Sequence, residues 1–193
     1  YDSQNGDLPI RVTRVRGTLD AWNQPGDIPD DVIHMSYDSN RNLTEVYQVN
    51  DPANAGDDLY TCYGYYANDL RSHVRAGLTT PCDSTPSGGL TNYFYYDNLG
   101  RLIATIDAAG NANGYVYDVR NNITRQVSNF TGQNVAQLAT NPAQLEQDLL
   151  NVVHNPATPD VNLVTEFSYD LADNLVEVRF MLSSGNYVRT TYA

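Results

Sequence analysis

Few side chains in this sequence are placed to do chemistry. Among its 193 residues are two cysteines, three histidines and nineteen aspartates. Cys62 and Cys82 have neither a C-x-x-C spacing nor a third ligand, so they cannot make a structural zinc site by themselves. They could close a disulfide across a stretch rich in turn residues. In the chain-entropy account such a bond stabilises by about 3 kcal/mol and implies an oxidising compartment; the alternative is two buried thiols. His34, His73 and His154 stand in no metal-ligand spacing and beside no serine or cysteine nucleophile motif, and they read as surface or turn residues. The acid-rich stretches 27–31 and 51–58 could hold calcium, but neither follows an EF-hand loop. A glycosidase needs two carboxylates roughly 5–9.5 Å apart, and no motif selects such a pair. Tyrosine, with 15 copies against 4 Phe and 1 Trp, offers a further chemistry, the stacking of sugars on exposed rings. Asn42-Leu43-Thr44, Asn122-Ile123-Thr124 and Asn129-Phe130-Thr131 are N-x-T sequons. The first two follow from turn and strand preference and do not by themselves imply glycosylation.

The elements that carry these groups are written by a repeated phrase. Tyr37-Asp38 to Leu43, Tyr96-Asp97 to Leu102, Tyr117-Asp118 to Ile123 and Tyr169-Asp170 to Leu175 share one template. Each has a Tyr-Asp pair, four mostly polar residues, and an aliphatic residue that opens an apolar–polar run. Tyr1 to Leu8 fits with one extra residue, and Tyr65 to Leu70 fits with one missing. The shortest interval, Tyr96 to Tyr117, is 21 residues, and Tyr169 to Tyr192 is 23. Longer intervals read as the same unit with loops inserted, as arrays allow.

Within a unit the pattern is that of a β-hairpin. Leu102 to Ile106 forms a strand, Asp107 to Asn111 a turn, Ala112 to Tyr117 the return strand, and Asp118 to Asn122 the next turn. Four residues after the tyrosine stand Gly100, Asn121 and Asp173, types that tolerate left-handed backbone. Arg41 is the exception, with Asn42 beside it expected to take that role. The Asp can accept a backbone N–H two residues on. Met35, Tyr63, Phe94, Tyr115 and Phe167 precede their tyrosines by two, so each unit should put two large groups on one face. The expected packing set is Tyr37, Tyr65, Tyr96, Tyr117, Tyr169 and Tyr192 with Phe94, Tyr115 and Phe167. Tyrosine suits a thin sheet because its ring packs while its hydroxyl stays in water.

The pattern breaks over 129–163, where Asn141 to Val153 reads as a helix. Asn141 is its N-cap, Pro142 lies in its first turn, and Leu145, Leu149 and Val152 share a face. A helix this short must dock on the sheet to be stable. We therefore expect an all-β chain: a single array over 1–193 of repeated antiparallel hairpins, in a spiral or solenoid-like sheet, with one short inserted helix at about 141–153.

The formal charge is −12, the sequence pI about 4.3, and all eleven cations are arginines. Nucleic acid and anionic membranes are thereby disfavoured as partners. No apolar run approaches the roughly 18 residues of a membrane span. The abundance of Asp and Asn suits turns more than helices.

The stretch Tyr96-Asp97-Asn98-Leu99-Gly100-Arg101-Leu102, continuing to Asp107, Gly110-Asn111 and Tyr115-Val116-Tyr117-Asp118, resembles the YD-repeat (Rhs-repeat) family. The resemblance is strongest over Asn92 to Val127 and extends over Val164 to Ala193. It implies hairpins wound as a spiral sheet, which in bacterial toxins encloses cargo and in teneurins belongs to an extracellular adhesion module. It implies a structural, non-enzymatic role, no cofactor, and a secreted or cell-surface setting, bacterial in origin. Motif tyrosines at both ends lead us to expect strand edges that pair with neighbouring repeats or with copies of the same chain. Glycan binding through exposed tyrosines is the alternative expectation.

Overall fold

The computed structural model describes residues 8–9, 11–14, 31–49, 58–82, 88–131 and 140–192. Tyr1, the acid-rich stretches 27–30 and 51–57, and the loop tip 83–87 lie outside these residues, as does Ala193. Two compact units are distinguished, Tyr1–Thr91 and Asn92–Ala193. Both are built from antiparallel strands that follow one another in chain order. Among the described residues the fold is all-β with one short helix.

The first unit holds β1 (Arg11–Arg14), β2 (Asp31–Tyr37), β3 (Leu43–Val49), β4 (Leu59–Tyr65) and β5 (Arg71–Leu78). One cross-strand row runs through His34, Tyr47 and Tyr60. Their rings stack at 4.5 Å and 5.1 Å between centroids. This row lies outside the Tyr-Asp frame. Val32, Cys62 and Leu78 are the buried apolar residues of this unit among those described. β5 is not foreshadowed by its sequence, which mixes Arg71, Ser72, His73 and Arg75 with a Gly; pairing with β4 along its length makes it a strand.

The second unit holds β6 (Leu90–Tyr96), β7 (Leu102–Ile106), β8 (Ala112–Tyr117), β9 (Ile123–Phe130), α1 (Pro142–Asn151), β10 (Leu163–Tyr169), β11 (Leu175–Ser183) and β12 (Asn186–Thr191). Here the helix supplies a second layer. Leu145 and Leu149 are fully buried in a cluster with Ile103, Ala104, Ala112, Val116, Val127, Phe130, Val164 and Met181. The sheet admits α1 because β7 and β8 carry small residues beneath it. A Cβ on Gly114 would sit 2.4 Å from Cδ2 of Leu149. The Asn141 side chain accepts the Gln144 N–H at 3.4 Å, Pro142 opens the helix, and the Val152 N–H closes it on the Asp148 carbonyl. Arg125, itself buried, donates to the Val152 carbonyl and pairs with Glu166. That contact ties the end of the helix to β9 and β10.

Candidate functional site

The repeated feature of this molecule is its turn. Tyr37, Tyr65, Tyr96, Tyr117 and Tyr169 close β2, β4, β6, β8 and β10, each directly across from the residue six later. The register slips just before every one of them, so each tyrosine follows a β-bulge. The next residue's N–H then bonds the carbonyl four residues on, at 2.8–3.0 Å. The residue at +4 from the tyrosine donates back to the carbonyl at +1. That +4 residue is left-handed every time: Arg41, Asp69, Gly100, Asn121 and Asp173 have φ of 71°, 62°, 78°, 71° and 63°.

Two expectations are corrected here. Arg41 takes the left-handed position itself, and Asn42 does not replace it; closure of the turn outweighs the roughly 1–2 kcal/mol that a side chain costs there. The turn after Tyr65 has lost no residue, because Arg71 pairs with Tyr65 as Leu43 does with Tyr37. Leu70 fills the position of Asn42, and Tyr66 that of Asp38.

The aspartate completes four of these turns from within. Oδ1 of Asp38, Asp97, Asp118 and Asp170 accepts the N–H two residues on and the N–H four residues on, at 2.8–2.9 Å. Oδ2 accepts the side chain of the latter residue: Asn42, Arg101, Asn122 or Asn174. The turn at the opposite end of the strands, at Asp107 between β7 and β8, repeats this network with Asn111, and Ile106 stands where the tyrosine would. Sequence reasoning foresaw the first N–H contact and missed the other two. The D-x-x-x-N spacing, present in four of these five turns, was the available signal.

These contacts favour the ionised carboxylate. The Asn111 side chain and N–H hold Asp107 below the usual carboxylate range, and the Asn122 N–H does so foremost for Asp118. The Asn174 side chain leads at Asp170. At Asp97 partial burial pushes upward, but the Arg101 N–H and guanidinium and the Leu99 N–H outweigh it.

The tyrosine hydroxyls link one repeat to the one before. Tyr65 donates to the Leu43 carbonyl at 2.9 Å, Tyr117 to Leu102 at 2.7 Å, and Tyr169 to Ile123 at 2.9 Å. In each case the acceptor is the first residue of the preceding repeat's strand. Tyr37 donates likewise to Pro9 at 2.9 Å. The expectation that these hydroxyls stay in water is therefore corrected: a carbonyl in the neighbouring strand lies within reach and takes them. Burial raises the pKa of Tyr117 and of Tyr169.

The turns are also linked edge to edge. Asn42 Nδ2 donates to Asp69 Oδ1 at 2.7 Å, Asn122 Nδ2 to Asp173 Oδ1 at 2.9 Å, and Arg101 to Asn121 Oδ1 at 3.3 Å. One rule covers all three: the +5 side chain of one turn donates to the +4 side chain of the next. Asp69, receiving both Asn40 and Asn42, is held below the usual range by those two amides.

The remaining sequence candidates are dispersed. Cys62 and Cys82 are joined as a disulfide with Cα atoms 5.7 Å apart, and the Cys82 N–H donates to Glu45. Phe94, Tyr115 and Phe167 lie within β6, β8 and β10, and Tyr192 follows β12 half-exposed. The histidines are not turn residues: His34 is stacked mid-strand, the His73 ring lies against Gly64, and His154 is buried with Nδ1 3.2 Å from the Val161 carbonyl. Burial and nearby Arg11 lower the His34 pKa, against the pull of Asp58. Among the described residues, no three His, Cys, Asp or Glu side chains gather to hold a metal ion. No described helix is long and apolar enough to cross a membrane. A cleft of about 470 Å³ lies in the second unit, lined by Val119, Arg120, Thr124, Phe167, Tyr169 and Leu171 among others. Its Arg120 is already bonded to the Leu171 carbonyl and to Asp173.

No protein family and no curated protein matches this sequence. Among solved structures the chain is similar to crystal structures of TcdB2-TccC3, TcdB2-TccC3-TEV and TcdB2-TccC3-Cdc42, at 12% identity in each case. The TM-scores are 0.29, 0.31 and 0.28, over 78%, 84% and 78% of this chain. The chain spans only 9–10% of the length of those proteins. A likeness this distant says nothing of what this chain does.

Proposed function

We propose that this chain is a non-enzymatic structural repeat element, a section of an extracellular shell or filament of the YD-repeat kind. The observation that supports this best is the hand-over between repeats. The hydroxyls of Tyr65, Tyr117 and Tyr169 are spent on the strand of the preceding repeat, and the side chains of Asn42, Arg101 and Asn122 on the following turn. Groups that could otherwise bind a ligand or move a proton are consumed in joining one repeat to another. Its partners in this reading are neighbouring repeats or copies of itself, met at strand edges, whose unpaired N–H and C=O groups accept a further strand. No cofactor takes part. The Cys62–Cys82 disulfide favours an oxidising location outside the cytosol.

Negative-stain electron microscopy of the protein at its full natural length tests this reading. Closed shells or fibres with a regular repeat are expected. Irregular solitary particles would overturn it, as would turnover of a glycan by the purified protein. Specific hits on a glycan array, lost when Phe167 or Tyr169 is replaced by alanine, would move the assignment to a carbohydrate-binding module centred on the cleft.

A further inference from the structure

The three sequons share the N-x-T pattern, but their side-chain amides are in different states. An amide nitrogen carries two hydrogens. Asn42 spends both, on Asp38 Oδ2 at 3.1 Å and on Asp69 Oδ1 at 2.7 Å. Asn122 spends both in the same way, on Asp118 Oδ2 at 3.2 Å and Asp173 Oδ1 at 2.9 Å. Among the described residues Asn129 spends one, on the Asp160 carbonyl at 2.9 Å, and it is half-buried like the other two. Asn129 also sits in the left-handed region, φ 51°, where β9 gives way to the inserted segment. The site is braced by other bonds. The Asn162 N–H donates to the Asn129 carbonyl at 3.0 Å, and the Thr131 N–H to Asn162 Oδ1 at 2.9 Å. Thr131 is exposed.

We propose that Asn129 is an N-glycosylation site that the folded protein can carry, while Asn42 and Asn122 are sequons that folding and glycosylation cannot share. In the transfer, Nδ2 attacks the anomeric carbon of an oligosaccharide activated as a lipid pyrophosphate. The N–C bond forms, the C–O bond to pyrophosphate breaks, and one Nδ2 proton is lost. The product nitrogen keeps one hydrogen. At Asn129 that hydrogen suffices for the Asp160 carbonyl, and the sugar takes the direction of the other, which no described residue accepts. At Asn42 and Asn122 one of two charge-assisted bonds must be given up, and the sugar must enter the space between two adjacent turns. Acceptors there are carboxylates, whose hydrogen bonds are the stronger kind. A glycan added to either residue before folding therefore costs that turn either its own clamp or its bond to the next, and places a sugar in the space between them.

The chain is expressed through the secretory pathway of a glycosylating eukaryotic host, and the monodisperse folded fraction is separated from the aggregated one. Occupancy is mapped by peptide mass spectrometry after enzymatic deglycosylation in heavy-oxygen water. The folded fraction should carry sugar at Asn129 and none at Asn42 or Asn122, whereas sugar at those two residues should appear only in the aggregate. Thr131→Ala should abolish the glycan of the folded fraction without changing its melting temperature. Sugar on Asn42 or Asn122 in folded protein would overturn the proposal, and so would an empty Asn129 in the folded fraction.

Discussion

The two units solve one problem differently. A single antiparallel sheet of short strands buries little on its own, and each unit adds something beyond its repeats. The second adds volume: α1 lays Leu145 and Leu149 over Ala104, Ala112 and Gly114 and creates an aliphatic core. The first adds a covalent link and a stack: the Cys62–Cys82 bond, and the rings of His34, Tyr47 and Tyr60. The backbone of the tyrosine turns is the same in both. The repeat phrase thus specifies how hairpins follow one another, and leaves open how the faces of the sheet are finished. Insertions between repeats supply that second ingredient.

The contrast can be broken most forcefully in the second unit. Leu149→Ala leaves a cavity under a helix that has little stability alone, and should cost about 2–5 kcal/mol. Hydrogen exchange should then rise throughout β7, β8 and α1 and stay unchanged in β3 and β4. Uniform loss of protection in both units would show that they do not separate energetically in this way. Reduction of the disulfide is the matching test in the first unit, with an expected loss of about 2–4 kcal/mol. Its signature is faster exchange in β4 and β5 under reductant, with the α1 region unaffected.

A smaller effect probes what the units share. Tyr65→Phe and Tyr117→Phe each remove one hydroxyl and leave the Leu43 or Leu102 carbonyl without it, worth about 0.5–1.5 kcal/mol. Chemical denaturation should find similar losses for the two variants. A loss in one unit with none in the other would mean that the hydroxyl link is not a common device. The gentlest perturbation is acid. Asp69, Asp107, Asp118 and Asp170 are held below the ordinary carboxylate range by their amide and N–H partners. Their contribution is complete above the unfolded value near about 4 and is lost as pH falls through the lowered folded values. The urea midpoint should hold between pH 7 and 5 and decline below about 4. A midpoint that rises on acidification would contradict the turn network.

Much of this was legible in the sequence, because local rules write local structure. β7 and β8 lie over the residues their alternation marks, and the helix expected at 141–153 is found at Pro142–Asn151 with its Asn141 cap. What escaped depends on neighbours that are remote in sequence. The destination of the Tyr169 hydroxyl, 46 residues away at Ile123, follows only once β9 is known to lie beside β10. Arg41 was read as an exception because propensity weighs the residue alone, whereas the bonds of its turn fix the backbone around it. β5 was overlooked for the same reason, since its pairing partner makes it a strand. The histidines were misplaced because nothing local in Ile33-His34-Met35 announces a stacking tyrosine across the sheet.

The hydroxyl bonds described for Tyr37, Tyr65, Tyr117 and Tyr169 run one way, from a later tyrosine to an earlier stretch of chain. During synthesis, therefore, a repeat leaving the ribosome can close its own turn at once, but it is latched only when the next tyrosine emerges. Growth of the sheet is vectorial: each arriving segment secures the one already made, and the newest is always the least secured.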